Sequence, residues 1–193
     1  MEKFKNKYRI PSARLSTWDY GSQALYFVTI CTKDRIKYFG DIVVVETQNI
    51  ASPPQNINSQ ETQNIASLRA TRIGEIANEN WQKIPEHFPF VELDEFIVMP
   101  NHVHGILFFN KPDFKEWTPN TFGPQSQNLS AVIRGYKASV TTYATTNQIE
   151  FAWQPRFHDH IIRSEEELNN IRQYILNNPW NWKNDEHYVM TNP

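Results

Sequence analysis

Apolar positions in this chain recur at two periods, one that suits strands and one that suits helices. Residues 25–32, Leu-Tyr-Phe-Val-Thr-Ile-Cys-Thr, are β-branched and aromatic and predict a central strand. Ile42 to Val45 is a second β-rich patch. In residues 74–84, Ile76, Ala77, Trp81 and Ile84 fall at helical spacing, and Pro85 lies just beyond, where a helix would stop. Residues 90–99 and 102–109 are both strand-like. The Pro100-Asn101 pair between them is a tight-turn signal, so the two predict a β-hairpin. From Leu129 to about Tyr143 a helical pattern sets Leu129, Val132, Ile133, Tyr136 and Val140 on one side. Phe151 to Trp153 and Phe157 to Ile162 read as short extended pieces. Ser164 with Glu167 three residues later has the form of a capped helix start, and Pro179 forbids the helix from running far past Asn177.

The resulting order is β, α, β, β, α, β-like, α. A small antiparallel sheet with helices packed on it, an α+β fold of ferredoxin-like type, accommodates that order. One segment interrupts it. Residues 46–67 are rich in Gln, Asn, Ser, Thr and Pro, and Glu-Thr-Gln-Asn-Ile-Ala-Ser occurs at 46–52 and again at 61–67. The copies are too short for a structural repeat unit, so this segment reads as a low-complexity insertion loop on the surface. Residues 110–127, with their Asn, Gln and Pro, read as a second loop.

At 193 residues the chain is most simply one domain, residues 1–193, with a sizeable core. Six Trp, eight Tyr and twelve Phe favour a folded protein over a disordered one. A single cysteine, Cys31, excludes an internal disulfide and reads as a buried core thiol. Met1 to Arg14 is basic and lacks the apolar region of a secretory signal, and no apolar run approaches a membrane span. The expectation is a cytoplasmic protein without a membrane partner. The net charge of −2 gives no support to nucleic-acid binding by itself. Residues 1–37, however, carry Lys3, Lys5, Lys7, Arg9, Arg14, Lys33, Arg35 and Lys37 against Glu2, Asp19 and Asp34. Such an arm either lies along a phosphate backbone or is merely solvated.

Candidate chemistry concentrates in two places. In Met99-Pro100-Asn101-His102-Val103-His104-Gly105 the histidines are two apart, so in a strand they share a face while Val103 points the other way. Neutral imidazole is a common metal ligand, and the pair makes a half-site for a divalent cation. In Tyr174-Ile175-Leu176-Asn177-Asn178-Pro179, Tyr174 and Asn178 lie four apart, on one face of a helix end. A phenol and an amide oxygen brought to a bis-histidine metal suggest phosphodiester chemistry with tyrosine as nucleophile. The ordinary alternatives are one buried and one exposed histidine, a packing tyrosine and an Asn that caps the helix.

Taken together, Met-Pro-Asn-His-Val-His-Gly-Ile, the downstream Tyr-Ile-x-x-Asn-Pro and Trp153-Gln-Pro-Arg-Phe-His-Asp-His-Ile-Ile-Arg163 resemble the REP-associated tyrosine transposases. These belong to the HUH superfamily (His, hydrophobic, His) of single-strand DNA nucleases. The resemblance covers roughly residues 14–45 and 73–185. It implies a ferredoxin-like or RRM-like fold and Tyr174 as the single catalytic tyrosine. It implies Mg²⁺ or Mn²⁺ held by His102, His104 and Asn178. The implied reaction is cleavage of single-stranded DNA beside a hairpin of REP-like type, through a 5′-phosphotyrosine intermediate that a 3′ hydroxyl reverses. Arg134, Lys137, Arg156, His158, His160 and Arg163 are then candidates for DNA contact. The acting form is a monomer or a homodimer.

Two other readings stand beside this one. His158 and His160 form a second pair, and four histidines from two strands suit Zn²⁺ with water as nucleophile, a hydrolase with no role for Tyr174. The third is a domesticated DNA-hairpin-binding module without catalysis. The aromatic tail of Trp180, Trp182 and Tyr188 packs on the core, stacks on bases or meets a partner chain, core packing being the simplest.

Overall fold

The computed structural model describes residues 18–47, 63–111 and 127–188, together with the backbone of 3–4 and 7–8. The basic arm of residues 1–14 therefore lies almost wholly outside the described residues, as do 48–62 and 112–126. Within residues 1–17 two short strands, β1 (Lys3–Phe4) and β2 (Lys7–Tyr8), pair antiparallel.

The central strand is β3 (Leu25–Cys31), one residue shorter than the sequence suggests. β4 (Gly40–Thr47) and β5 (Gln63–Ala70) follow as a two-stranded ribbon, with Gly40 opposite Ala70 and Thr47 opposite Gln63. The low-complexity segment 46–67 thus contributes both of its described ends to regular strands. The second copy of the repeat supplies Gln63–Ser67 to β5, where its backbone groups pair with β4.

Next come α1 (Arg72–Gln82), the single turn α2 (Ile84–His87), β6 (Val91–Met99) and β7 (His102–Phe109). The helix expected over 74–84 begins two residues earlier, because the Thr71 side chain accepts the Gly74 amide as its N-cap. It stops at Gln82, and Pro85 then sits in the first turn of α2, where its missing N–H costs nothing. The Pro100-Asn101 turn joins β6 to β7 as expected. α3 (Leu129–Thr146), capped by Asn128, outruns its predicted end by three residues. β8 (His158–Ile162) and α4 (Glu165–Asn177) complete the domain. Ser164 caps α4 through the Glu167 amide, and the Glu167 carboxylate reaches the Arg163 amide and His160.

The main sheet has the order β6-β7-β3-β8 with every neighbouring pair antiparallel. With α1 between β3 and β6 and α3 between β7 and β8, this is the ferredoxin-like βαββαβ arrangement. Alternation sorts the side chains. Tyr26, Val28, Ile30, Val103 and Leu107 enter the large core with Trp81, Ala77, Val132 and Tyr136 of α1 and α3. Gly105 of the His-x-His-Gly run belongs to that face. A Cβ there would stand 2.2 Å from the Trp81 ring, so only glycine lets the indole lie on the strand. The opposite face carries Ile106 and Ile162, with Leu25, Phe27 and Ile97 around them, and α4 covers it through Leu168, Ile171 and Ile175. Both histidines lie on this second, smaller layer.

Candidate functional site

The strand period does what the sequence predicts: Val103 is in the α1/α3 core, and His102 and His104 emerge side by side beneath α4, at 0% and 1% exposure. Their ring centroids are 4.4 Å apart. Each imidazole is oriented by one polar neighbour. Asn101, the turn residue, donates from Nδ2 to the carbonyls of Arg35 (3.0 Å) and His187 (2.8 Å), which leaves its Oδ1 to accept from His102 Nδ1 at 2.9 Å. The proton of His102 is thereby on Nδ1 and the lone pair on Nε2, which is buried with no hydrogen-bond partner. His104 Nδ1 pairs with the Thr29 hydroxyl at 2.9 Å, so its Nε2 faces outward, within hydrogen-bond distance of the Tyr174 phenol at 3.2 Å.

Tyr174 reaches this position because α4 lies across the sheet, with Arg172 anchoring it. The Arg172 guanidinium donates to both oxygens of Asp94 at 2.8 and 2.5 Å. Asp94 sits at the irregularity in β6 between Leu93 and Phe96, where the strand register slips. Tyr174 is 43% exposed, with its ring edge against Phe27 and its phenol over His104. One turn on, Asn178 is only 2% exposed and helical, so it is not a left-handed cap. Its Nδ2 donates to Asp185 Oδ2 at 3.2 Å, and its Oδ1 is buried without a partner.

Two buried acceptors, His102 Nε2 and Asn178 Oδ1, therefore lack any partner. An unsatisfied buried acceptor is costly unless something fills the need. Both are of the donor type a divalent cation takes, so the residues fit a metal ion. Charge points the same way. Burial, then the neighbouring histidines, holds His102 well below the usual imidazole range and His104 down to about 3. Both rings are neutral near pH 7 and present lone pairs. Tyr174 is pushed up to about 12, first by burial and then by the Asp185 carboxylate. Unaided, that phenol is a poor nucleophile.

A residue the sequence reading missed completes the cluster. His187, at 6% exposure, offers a ring nitrogen such that it and those of His102 and His104 all lie within 4.8 Å of one another. It has no spacing relation to the first pair, and only the folding of the tail brings it in. Trp182 packs by His102, its ring centroid 6.0 Å away, and Tyr188 meets Trp182 edge-on, so this part of the tail packs on the site while Trp180 is half exposed. Thr29 and Asn101 were also missed. Thr29 carried no signal, and Asn101 read only as a turn residue.

The second histidine pair does not join the cluster. His158 and His160 lie on the edge strand β8, on the same face as the first pair and in the rows of Thr29 and Phe27. Among the described residues the metal-capable group is His102, His104 and His187. His160 is bound to Glu167 at 2.7 Å, which argues against a four-histidine zinc site. Arg134, Lys137 and Arg156 do come together, with Trp153 and Phe157, around a groove of about 540 Å³ on the outer side of α3. Lys137 has a structural task there: its ammonium donates to the carbonyls of Gln154 (2.6 Å) and Arg156 (3.0 Å). Arg163 stands apart, at the start of the α4 turn.

The architecture is thus an α+β, ferredoxin-like sheet with paired histidines on a central strand and a tyrosine-bearing helix across them. A solved REP-associated tyrosine transposase bound to a REP hairpin has this fold: TM-score 0.54, 18% identity, 90% of this chain and 74% of that one covered. The resemblance read from the three motifs thus holds in the fold. The chain belongs to the same family as an uncharacterized protein of Haemophilus influenzae (strain ATCC 51907 / DSM 11121 / KW20 / Rd), which is 35% identical over 187 residues and 92% covered in both chains. No family model matches the sequence. No helix among the described residues is long and apolar enough to cross a membrane.

Proposed function

We propose that this protein cleaves and rejoins single-stranded DNA beside a hairpin, using Tyr174 as nucleophile and Mg²⁺ or Mn²⁺ on His102, His104 and Asn178. The observation that carries the reading is the Tyr174 phenol 3.2 Å from His104 Nε2, beside two buried acceptors without partners. The phenolic oxygen attacks phosphorus, the bond from phosphorus to the 3′ oxygen breaks, and the 5′ phosphate remains on the tyrosine. The proton lost by the phenol is matched by the one the 3′ oxygen gains, so the step reverses without a nucleotide cofactor. A bound divalent cation supplies two things here: a lower phenol pKa and neutralisation of charge on the phosphate. Asn101 holds His102 in the tautomer that presents Nε2, Thr29 turns His104 so that its Nε2 faces Tyr174, and Arg172 fixes the helix that carries Tyr174.

The solved transposase of this fold was bound to a REP hairpin, which supports a hairpin substrate for this chain. The groove at Arg134, Arg156, Trp153 and Phe157 offers cations beside aromatic rings, as nucleic-acid surfaces do. It lies on the α3 layer. DNA held there reaches Tyr174 by passing the β8 edge, where His158 and His160 face the site side.

A denaturing gel with labelled single-stranded hairpin DNA, in Mn²⁺ or EDTA, tests this. The expected result is a metal-dependent, protein-linked DNA band that vanishes in Tyr174→Phe. Cleavage with no covalent band would replace the reading with a metal-water hydrolase, and binding with no cleavage would replace it with a DNA-binding module.

A further inference from the structure

His187 is buried in the histidine cluster, yet the proposed chemistry gives it no task. We propose that His187 is a third imidazole ligand of the divalent ion, delivered by the C-terminal segment and converting the His102–His104 pair into a three-nitrogen site. This rests on the reading of that pair as metal ligands.

Position is the first argument. One nitrogen from each of the three rings lies within 4.8 Å of the others, and the His187 ring centroid is 4.6 Å from that of His102 and 5.9 Å from that of His104. The second is the way the segment is held. The His187 carbonyl accepts from Asn101 Nδ2, the same side chain that fixes the tautomer of His102. Its amide donates to Asp185 Oδ1 at 2.6 Å, while Asp185 Oδ2 accepts from Asn178 Nδ2. One carboxylate thus orients two candidate ligands, and one amide ties the third to the first. These bonds hold the segment that carries His187 against the His102–Asn178 side of the cluster.

Arg35 supplies the counterweight. Its guanidinium meets His187 Nδ1, so a cation already competes for this imidazole. Arg35 is only partly buried and can turn to solvent when a metal ion takes its place. A third nitrogen also changes which ion is preferred. Imidazole suits transition metals, whereas Mg²⁺ favours oxygen ligands and water, so the site selects Mn²⁺ or a softer ion over Mg²⁺.

The test uses Mn²⁺ as the probe on the full chain. Pulsed EPR of the loaded wild-type protein should show three coupled imidazoles, and His187→Ala should show two. Calorimetry should show Mn²⁺ affinity falling by about tenfold or more in His187→Ala, with a smaller change for Mg²⁺. His102→Ala should lose the ion altogether. Two imidazoles in the wild type, or an unchanged Mn²⁺ affinity in a folded His187→Ala, would overturn this proposal and leave the proposed function standing. Retention of Mn²⁺ by His102→Ala would strike the proposed function itself. Should His187→Ala fail to fold, the wild-type imidazole count decides alone.

Discussion

The Tyr174 phenol oxygen lies 3.2 Å from Nε2 of His104, the nitrogen left outward by the bond between His104 Nδ1 and Thr29. The nucleophile candidate and a metal-ligand candidate therefore touch within one chain. Tyr174→Phe removes one oxygen from a 43%-exposed side chain and keeps the ring against Phe27. Expected is a loss of covalent DNA linkage below detection, with hairpin affinity within about twofold and melting temperature nearly unchanged. Gel trapping and fluorescence anisotropy on the same preparation check this; linkage at the wild-type rate would remove Tyr174 from the chemistry.

Asn101 holds three partners at once: the carbonyls of Arg35 and His187 and the Nδ1 proton of His102. Asn101→Ala unties all three and frees His102 to change tautomer. Metal affinity should fall about 10- to 100-fold, as when outer-shell partners are removed elsewhere. Stability should fall by about 1–3 kcal/mol from the buried groups left unpaired. Calorimetry with Mn²⁺ and urea unfolding separate the two effects, and wild-type affinity would show that His102 is held by packing alone.

How much of this was legible beforehand follows from the range of each interaction. Alternation in β3, β6 and β7 and the 3.6 spacing in α1 and α3 are local, and they predicted the sheet and its helices. The His-x-His face and the Tyr174–Asn178 pair rest on the same two periods. His187 was invisible because its partners are remote in sequence: Asn101 is 86 positions away. Thr29 is likewise 75 positions from His104, and its hydroxyl looks like any other in a β-branched run. The second copy of Glu-Thr-Gln-Asn-Ile-Ala-Ser misled in the other direction. Its polar composition suggests a loop, but the β4 backbone offers it a complete ladder of hydrogen bonds, and pairing overrides propensity.

Gly105 predicts a stability effect that is independent of the chemistry. Its missing Cβ is the space where the Trp81 ring lies, and both residues sit in the main core. Gly105→Ala forces the strand and indole apart by more than a side-chain adjustment can absorb. It should cost about 1–3 kcal/mol, as overpacked cores do. The matching Trp81→Leu, Gly105→Ala double variant should recover part of that loss in thermal melts. Additive losses would place the strain elsewhere.

The buried histidines make stability depend on pH in one direction. His104 titrates at about 3 in the folded protein and near 6.5 when unfolded, and His102 is depressed as well. Between those values the unfolded chain binds more protons. The stability these rings contribute is therefore complete above about pH 6.5 and is lost as pH falls. In a chelator, urea unfolding should show stability dropping by about 1.4 kcal/mol per pH unit for each such histidine below pH 6. A flat profile from pH 7 to 5 would mean that the imidazoles take up protons without unfolding.

The groove on α3 carries the last prediction. Arg134 and Arg156 line it beside Trp153 and Phe157, whereas Lys137 uses its ammonium to hold the carbonyls of Gln154 and Arg156. The two arginines are therefore the groups left to meet phosphate, and the lysine shapes the wall. None of the three touches the histidine cluster, which lies on the other face of the sheet. The Arg134→Ala, Arg156→Ala double variant should bind hairpin DNA more weakly and reduce the dependence of log affinity on log salt by roughly 1 to 2. Its Mn²⁺ affinity should not change. Measuring anisotropy over a salt series beside Mn²⁺ calorimetry keeps the two surfaces apart. An unchanged salt slope would move the DNA path off α3, and the β8 edge with His158, His160 and Arg163 would be the next surface to mutate.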